Sequence, residues 1–271
     1  MRRLLGFLVT AGTLALAGFI GFTLISSWLN PEPLSIGTVD GRTFISVQQP
    51  AQISWTAPLD NSGYDVSHPQ CKSKLPSSPV GFVIVGLNKG KPFTSNPCFE
   101  TQWNWAKTHD GVAVYINTAD PNDGSATRYG KSIASDTIKR LNKFKVPVGT
   151  PVWLDVETHN TWSTTDRAAQ VISETMAQLS AAGYPVGIYG PPAHWFEITG
   201  DANLGVPTWL ALGKYPDVAS GVAAAKAACT TSSFGLREPA IVQFVATVGR
   251  VTLDRNYMCL APTGLVAPVH P

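Results

Sequence analysis

The segment PVWLDVET, residues 151–158, places an apolar run directly before two carboxylates, Asp155 and Glu157. An unbroken apolar run of this length is typical of a strand that is buried on both faces. Residues 166–182 follow with apolar side chains at helical spacing, which predicts a helix. Because side chains two positions apart on a strand point to the same side, Asp155 and Glu157 should lie next to each other. The segment therefore predicts a strand–helix unit with paired acids at the tip of the strand.

The same alternation continues on both sides of this unit. Further helices are predicted at 99–107, 131–144 and 216–229, and Ser163 with Asp166 is expected to form a capping box for helix 166–182. Repeated strand–helix units with about eight strands favour an α/β fold, an irregular (β/α) barrel of the TIM type. An open doubly wound sheet is the alternative, but no glycine-rich nucleotide loop follows a predicted strand. The predicted strands are 63–66, 81–87, 112–117, 152–156, 186–189, 208–212, 241–245 and 251–256.

Composition and charge exclude several classes of protein. Of the 271 residues, 44% are hydrophobic and 14% charged, which is typical of a globular domain and not of a disordered chain. The net charge is only +2, and the basic run around Lys139, Arg140, Lys143 and Lys145 reads as a solvated helix face, so we expect no nucleic-acid partner. We predict one barrel domain over residues 62–262, acting as a monomer, followed by a flexible tail at 263–271.

The N-terminus carries an export signal. Residues 4–29 contain no charged side chain and follow Arg2 and Arg3. A cleavable signal peptide has an apolar core of about 7–15 residues, whereas a membrane span needs about 20. The length favours an uncleaved hydrophobic anchor helix within residues 1–30, with a cleaved signal peptide as the alternative. Either way the domain is extracytoplasmic, membrane-anchored or secreted, and residues 31–61 form a linker or stalk.

The four cysteines agree with export. Cys71, Cys98, Cys229 and Cys259 form two pairs that are each separated by a few tens of residues. An even number of cysteines outside the cytoplasm favours disulfides, and we expect Cys71–Cys98 and Cys229–Cys259 among the three possible pairings. A zinc site is the competing interpretation, but no Cys-x-x-Cys spacing occurs and the five histidines are scattered. We therefore expect neither a metal nor a cofactor.

Four acids follow apolar runs and should lie at strand tips: Asp65, Asp155, Glu157 and Asp254. In a (β/α) barrel the active site is built at the C-terminal ends of the strands. Two carboxylates held together in an apolar site repel each other, so one of them should have a raised pKa. A protonated acid beside an ionised one is the arrangement that glycosidic bond cleavage requires. Any single acid of this set could equally well cap a turn or a helix.

Five segments in order resemble glycoside hydrolase family 25, the lysozyme-type hydrolases. GYDVSHPQ (63–70) resembles the family's opening G-x-D-V-S-x-x-Q strand, and LDVE (154–157) its central D-x-E strand. GIYG (187–190) followed by Trp195 is similar to its G-I-Y-S strand. PTWLA (207–211) is similar to its L-W-I-A strand. The ending resembles W-Q-Y … G-x-V-D-x-N, with Gln243, Asp254 and Asn256 at the matching positions.

This resemblance implies a fold, an activity and a set of site residues. The family cleaves the β-1,4 bond between N-acetylmuramic acid and N-acetylglucosamine in peptidoglycan. Glu157 would be the general acid, and Asp155 would stabilise the N-acetyl group or the transition state. Asp65 and Asp254 would hold the glycan and tune the central acids. The residues expected to bind substrate are Tyr189, Trp195, Trp209, Asn117, Asn256 and Gln243, although each aromatic could instead pack in the core.

Two strands depart from the family pattern. The third strand has Asn117 near the place of the family's Y-H-F ending, and the second ends in Asn88-Lys89-Gly90 in place of Arg-Ala-x-x-Gly. These departures leave two hypotheses open. The first is a muramidase-like enzyme acting on peptidoglycan or a related cell-wall glycan, which retention of all four acids favours. The second is a non-catalytic envelope protein that binds a glycan or acts as a scaffold.

Overall fold

The computed structural model describes residues 61–231, 233–235, 238–248 and 251–259, and the backbone of two short strands near the N-terminus, β1 (Ser35–Val39) and β2 (Arg42–Ser46). β1 and β2 pair as an antiparallel hairpin within the predicted linker. The predicted apolar segment 4–29 and the tail 263–271 lie outside the described residues. No helix in the described part of the chain is both long and apolar enough to span a membrane.

Eight further strands close into a barrel in the order β10-β3-β4-β5-β6-β7-β8-β9. All neighbouring strands from β3 to β9 are parallel, and β10 runs antiparallel to both β9 and β3, so the barrel is an irregular one, as the sequence predicts. The strands are β3 (Ser62–Val66), β4 (Phe82–Gly86), β5 (Gly111–Asn117), β6 (Val152–Asp155), β7 (Val186–Gly190), β8 (Thr208–Tyr215), β9 (Ile241–Val248) and β10 (Val251–Met258).

Helices connect the parallel strands. A short 3-10 helix, His68–Lys72, follows β3, and each later connection up to β9 contains an α-helix: α1 (Phe99–Ala106), α2 (Ala126–Lys143), α3 (Thr165–Ala181), α4 (Pro192–Thr199) and α5 (Val218–Ala228). Four of the five agree with the predicted helices to within a few residues, while α4 was not predicted. The predicted capping box of α3 is wrong, because the N-cap is Thr164 and Ser163 instead donates a hydrogen bond to Asp120.

The barrel has an apolar interior and an apolar outer layer. Alternate residues of β4, such as Phe82 and Ile84, belong to a small interior cluster, while Val83 and Val85 pack with the helices. Two glycines leave room for the interior rings. A Cβ on Gly63 would lie 2.5 Å from the Phe82 ring, and one on Gly187 would lie 2.3 Å from the Trp153 ring. The interior of one end of the barrel is thus filled by side chains and closed.

Both predicted disulfides are confirmed. Cys71–Cys98 joins the 3-10 helix after β3 to the residue that precedes α1, and Cys229–Cys259 joins the end of α5 to the end of β10. The two bridges close segments of 27 and 30 residues. Each should stabilise the fold by about 3–4 kcal/mol in the chain-entropy model. The first bridge also fixes the loop after β4, which borders the candidate site.

Candidate active site

Strand register brings polar side chains together at one end of the barrel. Asn117 pairs with Asp155, and Asp155 pairs with Tyr189, so three neighbouring strands end at the same level. These residues line a cleft of about 350 Å³ at the C-terminal ends of the parallel strands. The cleft is also lined by Asp65, Glu157 and Asp254. The structure therefore places all four acids singled out from the sequence around one open cleft.

Asp65 on β3 is held by two amide side chains. Its Oδ2 accepts hydrogen bonds from Asn256 Nδ2 at 2.7 Å and from Gln243 Nε2 at 3.1 Å. Burial, reinforced by the negative charge of Asp254, nevertheless raises the pKa of Asp65 to about 8. At neutral pH this carboxyl is therefore mainly protonated. An acid that remains neutral near pH 7 can donate a hydrogen bond to a ligand.

The two amides are themselves fixed by aromatic side chains. Tyr189 donates its hydroxyl hydrogen to Gln243 Oε1 at 2.8 Å, and Trp209 Nε1 donates to Asn256 Oδ1 at 2.8 Å. Because each amide oxygen is occupied as an acceptor, its NH₂ group is left to point at Asp65. The Tyr189 and Trp209 rings also pack together, with centroids 4.5 Å apart. One continuous set of hydrogen bonds thus fixes the orientation of Asp65.

Asp155 is the buried member of the central acid pair. Its Oδ2 accepts a short hydrogen bond from Asn117 Nδ2. Burial raises the pKa of Asp155 well above its ordinary value, and the charge and hydrogen-bonding contact of Glu157 raise it further. A proton on Asp155 would therefore be shared with Glu157. This is the carboxyl pair that the sequence predicts, with the raised pKa on its inner member.

The two departures from the family pattern form one hydrogen-bonded unit. Asn88 Nδ2 donates to the carbonyl of Asn117 at 2.9 Å, and the backbone N–H of Asn117 donates back to Asn88 Oδ1 at 3.1 Å. This reciprocal pair fixes the backbone of Asn117, whose side chain holds Asp155. The unusual residues on the second and third strands of the barrel therefore position the central acid. They do not break the site.

Glu157 lies beyond the end of β6, where it is more exposed than Asp155. Its side chain is 21% exposed and lies between two imidazoles: Oε2 is 3.4 Å from His159 Nδ1, and Oε1 is 3.8 Å from His194 Nδ1. Its backbone carbonyl accepts hydrogen bonds from Trp162 Nε1 at 2.9 Å and from the Asn160 N–H at 3.2 Å. The loop after β6 therefore holds Glu157 facing the open cleft, within reach of a ligand.

Asp254 completes the acidic cluster from the antiparallel strand. It lies on β10 opposite Val245 of β9, and both residues line the cleft. Partial burial raises the pKa of Asp254, and the negative charge of Glu157 adds to this effect. Asp65, Asp155 and Asp254 thus bind protons more tightly than free carboxyls do. The cleft is a site in which carboxylates compete for protons.

The aromatic residues predicted to bind substrate separate into two groups. Tyr189 and Trp209 line the cleft, although Trp209 is only 1% exposed and lies at its floor. Trp195 does not line the cleft, and its prediction as a substrate-binding residue is wrong. It is 1% exposed on α4, packs against Phe234 with ring centroids 5.3 Å apart, and donates a hydrogen bond from Nε1 to the Ala202 carbonyl. Trp195 is therefore a core residue.

The structure adds residues that sequence reasoning missed. His159 and His194 approach Glu157, Asn88 supports Asn117, and Tyr115 lines the cleft. His159 could have been found, because it follows Glu157 by two positions and so continues the Asp155-x-Glu157 spacing. No pattern points to His194, which the unpredicted helix α4 brings to the site. Within the described residues no group of three or more His, Cys, Asp or Glu side chains is arranged to hold a metal ion.

The fold and the site together define a class of protein, the lysozyme-type barrels that carry acidic side chains at one end of the barrel. The muramidase from Trichobolus zukalii is 20% identical, with a TM-score of 0.53 over 73% of this chain and 92% of that one. The bacterial lysozyme from Streptomyces coelicolor is 21% identical, with a TM-score of 0.54 over 76% of this chain and 95% of the lysozyme. The family 25 glycosyl hydrolase from Bacillus anthracis is 15% identical, with a TM-score of 0.53 over 82% of this chain and 94% of the hydrolase. At these identities the likeness shows the fold alone.

The chain belongs to the lysozyme-like protein 1 family, whose model matches residues 61–227. This match and the structural neighbours confirm the resemblance to glycoside hydrolase family 25, of which the chain is a divergent member. No curated protein sequence matches the chain. The matched residues include β3 to β8 and thus Asp65, Asp155 and Glu157, while Asp254 lies beyond them.

Proposed function

We propose that the protein is an exported muramidase-like glycoside hydrolase that cleaves β-1,4 bonds in peptidoglycan. One observation carries this proposal: the buried Asp155 and the more exposed Glu157 lie at the end of β6 in one open cleft, together with Asp65 and Asp254. Glycosidic cleavage needs a carboxylic acid to protonate the leaving oxygen and a second group to stabilise the positive charge on the sugar. The pair supplies both groups within one cleft.

The exposures of the two acids suggest their roles. Asp155 holds a proton that it can share with Glu157. When the acetamido N–H of a bound sugar donates a hydrogen bond to Asp155, the ionised form of Asp155 is favoured and its proton passes to Glu157. Glu157 then donates this proton to the glycosidic oxygen as the bond to C1 breaks, and the bonding electron pair stays on that oxygen. Asp155, now negative, stabilises the charge on C1 or on the acetamido group. A water molecule then forms the new bond to C1 and gives its proton back to the carboxylate pair.

The remaining polar groups suit the binding of a sugar. Protonated Asp65 offers a hydrogen-bond donor, while Asp254 and the Tyr189 ring lie on the walls of the same cleft. Sugars present many hydroxyl groups and apolar ring faces, which such a mixed lining can contact. The names muramidase and lysozyme carried by similar structures point to peptidoglycan as the glycan. Asn117, Gln243 and Asn256 act in this scheme through the acids that they hold.

Two features of the chain support the proposed export. Residues 4–29 form an uncharged apolar segment behind Arg2 and Arg3, and two disulfides stabilise the barrel. Disulfides persist in oxidising compartments outside the cytoplasm, where peptidoglycan also lies. We propose that residues 1–30 act as a membrane anchor or a cleaved signal, that residues 31–61 link them to the barrel, and that the protein works there as a monomer.

The test is the clearing of a peptidoglycan suspension by the purified protein. Glu157→Gln keeps the shape of the side chain but removes the acid, so it should lower the rate by at least about 100-fold while the melting temperature stays the same. Glu100→Gln is the matched control, because Glu100 is exposed on α1 and does not line the cleft. If the wild type clears no wall preparation yet binds the walls as tightly as Glu157→Gln does, the protein is a glycan-binding module and the proposed activity is refuted.

A further inference from the structure

Positive charge is concentrated on one helix of the barrel. Residues 126–145, which comprise α2 and the turn after it, carry six basic side chains and one acid, Asp136. Their net charge is thus +5 (six minus one), whereas the whole chain has a net charge of only +2, so the rest of the chain is net acidic. The four acids of the cleft belong to that remainder. The protein therefore has an acidic cleft and a basic outer helix, which attract ligands of opposite charge.

The basic side chains of α2 border a groove on the solvent side of this helix. The groove has a volume of about 440 Å³ and is lined by Arg128, Lys131, Ser132, Ser135, Asp136 and Lys139. These residues lie three or four positions apart in turn, so they share one face of α2. The two short serine side chains lie in the middle, and longer cations lie on either side of them along the helix. The sequence alone indicates a solvated helix face, and the groove is what the structure adds.

The positive charge of the groove is not neutralised by its neighbours. Asp136, the one carboxylate in the lining, is already bound by Arg140, whose Nε and Nη2 donate to its two oxygens at 2.7 and 3.1 Å. Lys131 remains 56% exposed, although a glutamate oxygen of α3 lies 3.9 Å from its Nζ. Arg128 and Lys139 are exposed and form no ion pair with another described residue. The groove thus presents unpaired cations to a negatively charged ligand.

The helix that carries the groove is held firmly on the barrel. A Cβ on Gly130 would lie 2.7 Å from a backbone carbonyl oxygen of α3, so the two helices are in close contact at this point. Gln170 of α3 donates a hydrogen bond from Nε2 to Thr127 Oγ1 of α2 at 3.1 Å. Arg140 also donates a hydrogen bond to Ser95 Oγ, which ties α2 to the loop after β4. The backbone under the cations is therefore already fixed, which reduces the entropy lost on binding.

The length of the basic face suits an extended chain that carries a negative charge in each unit. Arg128 and Lys139 are separated by about 16 Å at 1.5 Å per residue, and the exposed Lys143 continues the same face by one further turn. Both kinds of cation bind phosphate groups, arginine through two parallel hydrogen bonds and lysine as a point charge. A chain of phosphodiester units would place one negative charge after another along these cations.

We propose that the groove on α2 binds a linear polymer of polyol or sugar units joined by phosphodiester bonds, and so holds the protein on an anionic polymer independently of the cleft. A bilayer fits less well, because the apolar side of α2 faces the barrel and the large apolar side chains exposed in the described residues, Phe93, Val148 and Phe196, lie outside α2. A single-stranded nucleic acid needs aromatic rings on which its bases stack, and the lining of the groove contains none. This inference goes beyond the proposed function and does not depend on the acids of the cleft.

The experiment is a calorimetric titration of the full chain with a short synthetic chain of glycerol phosphate units, repeated at several salt concentrations. The double variant Lys131→Gln with Lys139→Gln removes two cations of the groove but keeps polar side chains on the exposed face. It should bind the chain at least about tenfold more weakly, and the slope of log K against log salt should fall by about 1–2. The matched control is Lys107→Gln with Lys214→Gln, because both lysines are exposed and lie outside the groove. This control should bind like the wild type.

Three other probes separate the chemistry of the ligand: poly-glutamate, single-stranded DNA and vesicles that contain phosphatidylglycerol. The inference is overturned if the groove variant and the matched control bind the glycerol phosphate chain equally well. It is also overturned if one of the three probes binds more tightly than this chain and loses its binding in the groove variant. Glu157→Gln should bind the chain like the wild type while it no longer clears peptidoglycan, and the groove variant should behave in the opposite way. Failure of one proposal is therefore distinguishable from failure of the other.

Discussion

Replacing Asp65 by Asn should make the protein more stable at neutral pH, although Asp65 lies in the proposed active site. Asp65 has a pKa of about 8 in the folded protein, against 3.8 for an unperturbed aspartate. Between these values the folded protein binds one more proton at this site than the unfolded chain does. The free energy of unfolding therefore falls as pH rises through this window, by about 1.36 kcal/mol per pH unit.

The size of the stability change follows from the pH range between the two pKa values of Asp65. From about pH 4 to about pH 7 the wild type should lose up to about 4 kcal/mol through Asp65 alone. The raised pKa values of Asp155 and Asp254 act in the same direction and make the loss steeper. Asparagine cannot ionise, but its Oδ1 can still accept the hydrogen bonds from Asn256 and Gln243. Asp65→Asn should thus match the wild type near pH 4 and exceed it by about 1–4 kcal/mol near pH 7.

The assay is guanidinium unfolding at several pH values from about pH 4 to about pH 7, followed by tryptophan fluorescence. Asp110→Asn is the control, because Asp110 is exposed and does not line the cleft. Its stability curve should run parallel to that of the wild type. The reasoning is refuted if Asp65→Asn also runs parallel to the wild type across this range, because Asp65 would then be ionised in the folded protein.

Three further changes test the packing that supports the site. Trp195→Ala should lower the free energy of unfolding by about 3–5 kcal/mol, because Trp195 is a core residue; a loss below about 0.5 kcal/mol in denaturant unfolding would contradict its placement. Gly187→Ala should cost about 1–3 kcal/mol, since the new Cβ would lie 2.3 Å from the Trp153 ring; an unchanged melting temperature would show that the ring moves freely. Replacing both Cys71 and Cys98 by Ser should cost about 3–4 kcal/mol in the same unfolding assay. A reducing agent that gives the wild type the stability of this double variant would show that the Cys229–Cys259 bridge contributes little.

The barrel could be predicted because its strands are buried on both faces. Runs such as 82–85 are apolar without interruption, and glycine or proline follows most of the predicted helices. The structure moves most strand ends by one or two residues but extends β8 and β9 by three. Helix α4 escaped prediction because it has only eight residues and begins after Pro191. A short segment with proline at its start reads as a turn until its packing is known.

The acids of the site could be predicted from their position relative to the strands, whereas other side chains around it could not be predicted in this way. Asp65 and Asp155 lie at or next to the C-terminal ends of parallel strands, so their place at this end of the barrel follows from chain direction. Asp254 lies in the N-terminal half of β10, which runs antiparallel, so chain direction alone does not place it there. His194 reaches Glu157 only through tertiary structure, which no local pattern encodes. Trp195 failed as a prediction because an aromatic residue after a strand can pack inward or line a cleft. Its sequence neighbourhood is the same in both cases.

The two departures from the family pattern show why single positions mislead. Asn88 and Asn117 appear in the sequence as two separate losses on different strands. In the structure they bond each other, and together they hold Asp155. Each asparagine thus supports the other, and the pair holds the central acid. This pairing favours a working site over a decayed one.

The most direct test of the proposed activity is the identity of the reducing ends released from purified peptidoglycan. After digestion, the fragments are reduced with borohydride and identified by mass spectrometry. The proposed cleavage gives new reducing ends on N-acetylmuramic acid, and none when Glu157 is replaced by Gln. Reducing ends on N-acetylglucosamine alone, or equal amounts from the wild type and Glu157→Gln, would contradict the assignment of Glu157 as the acid that cleaves this bond.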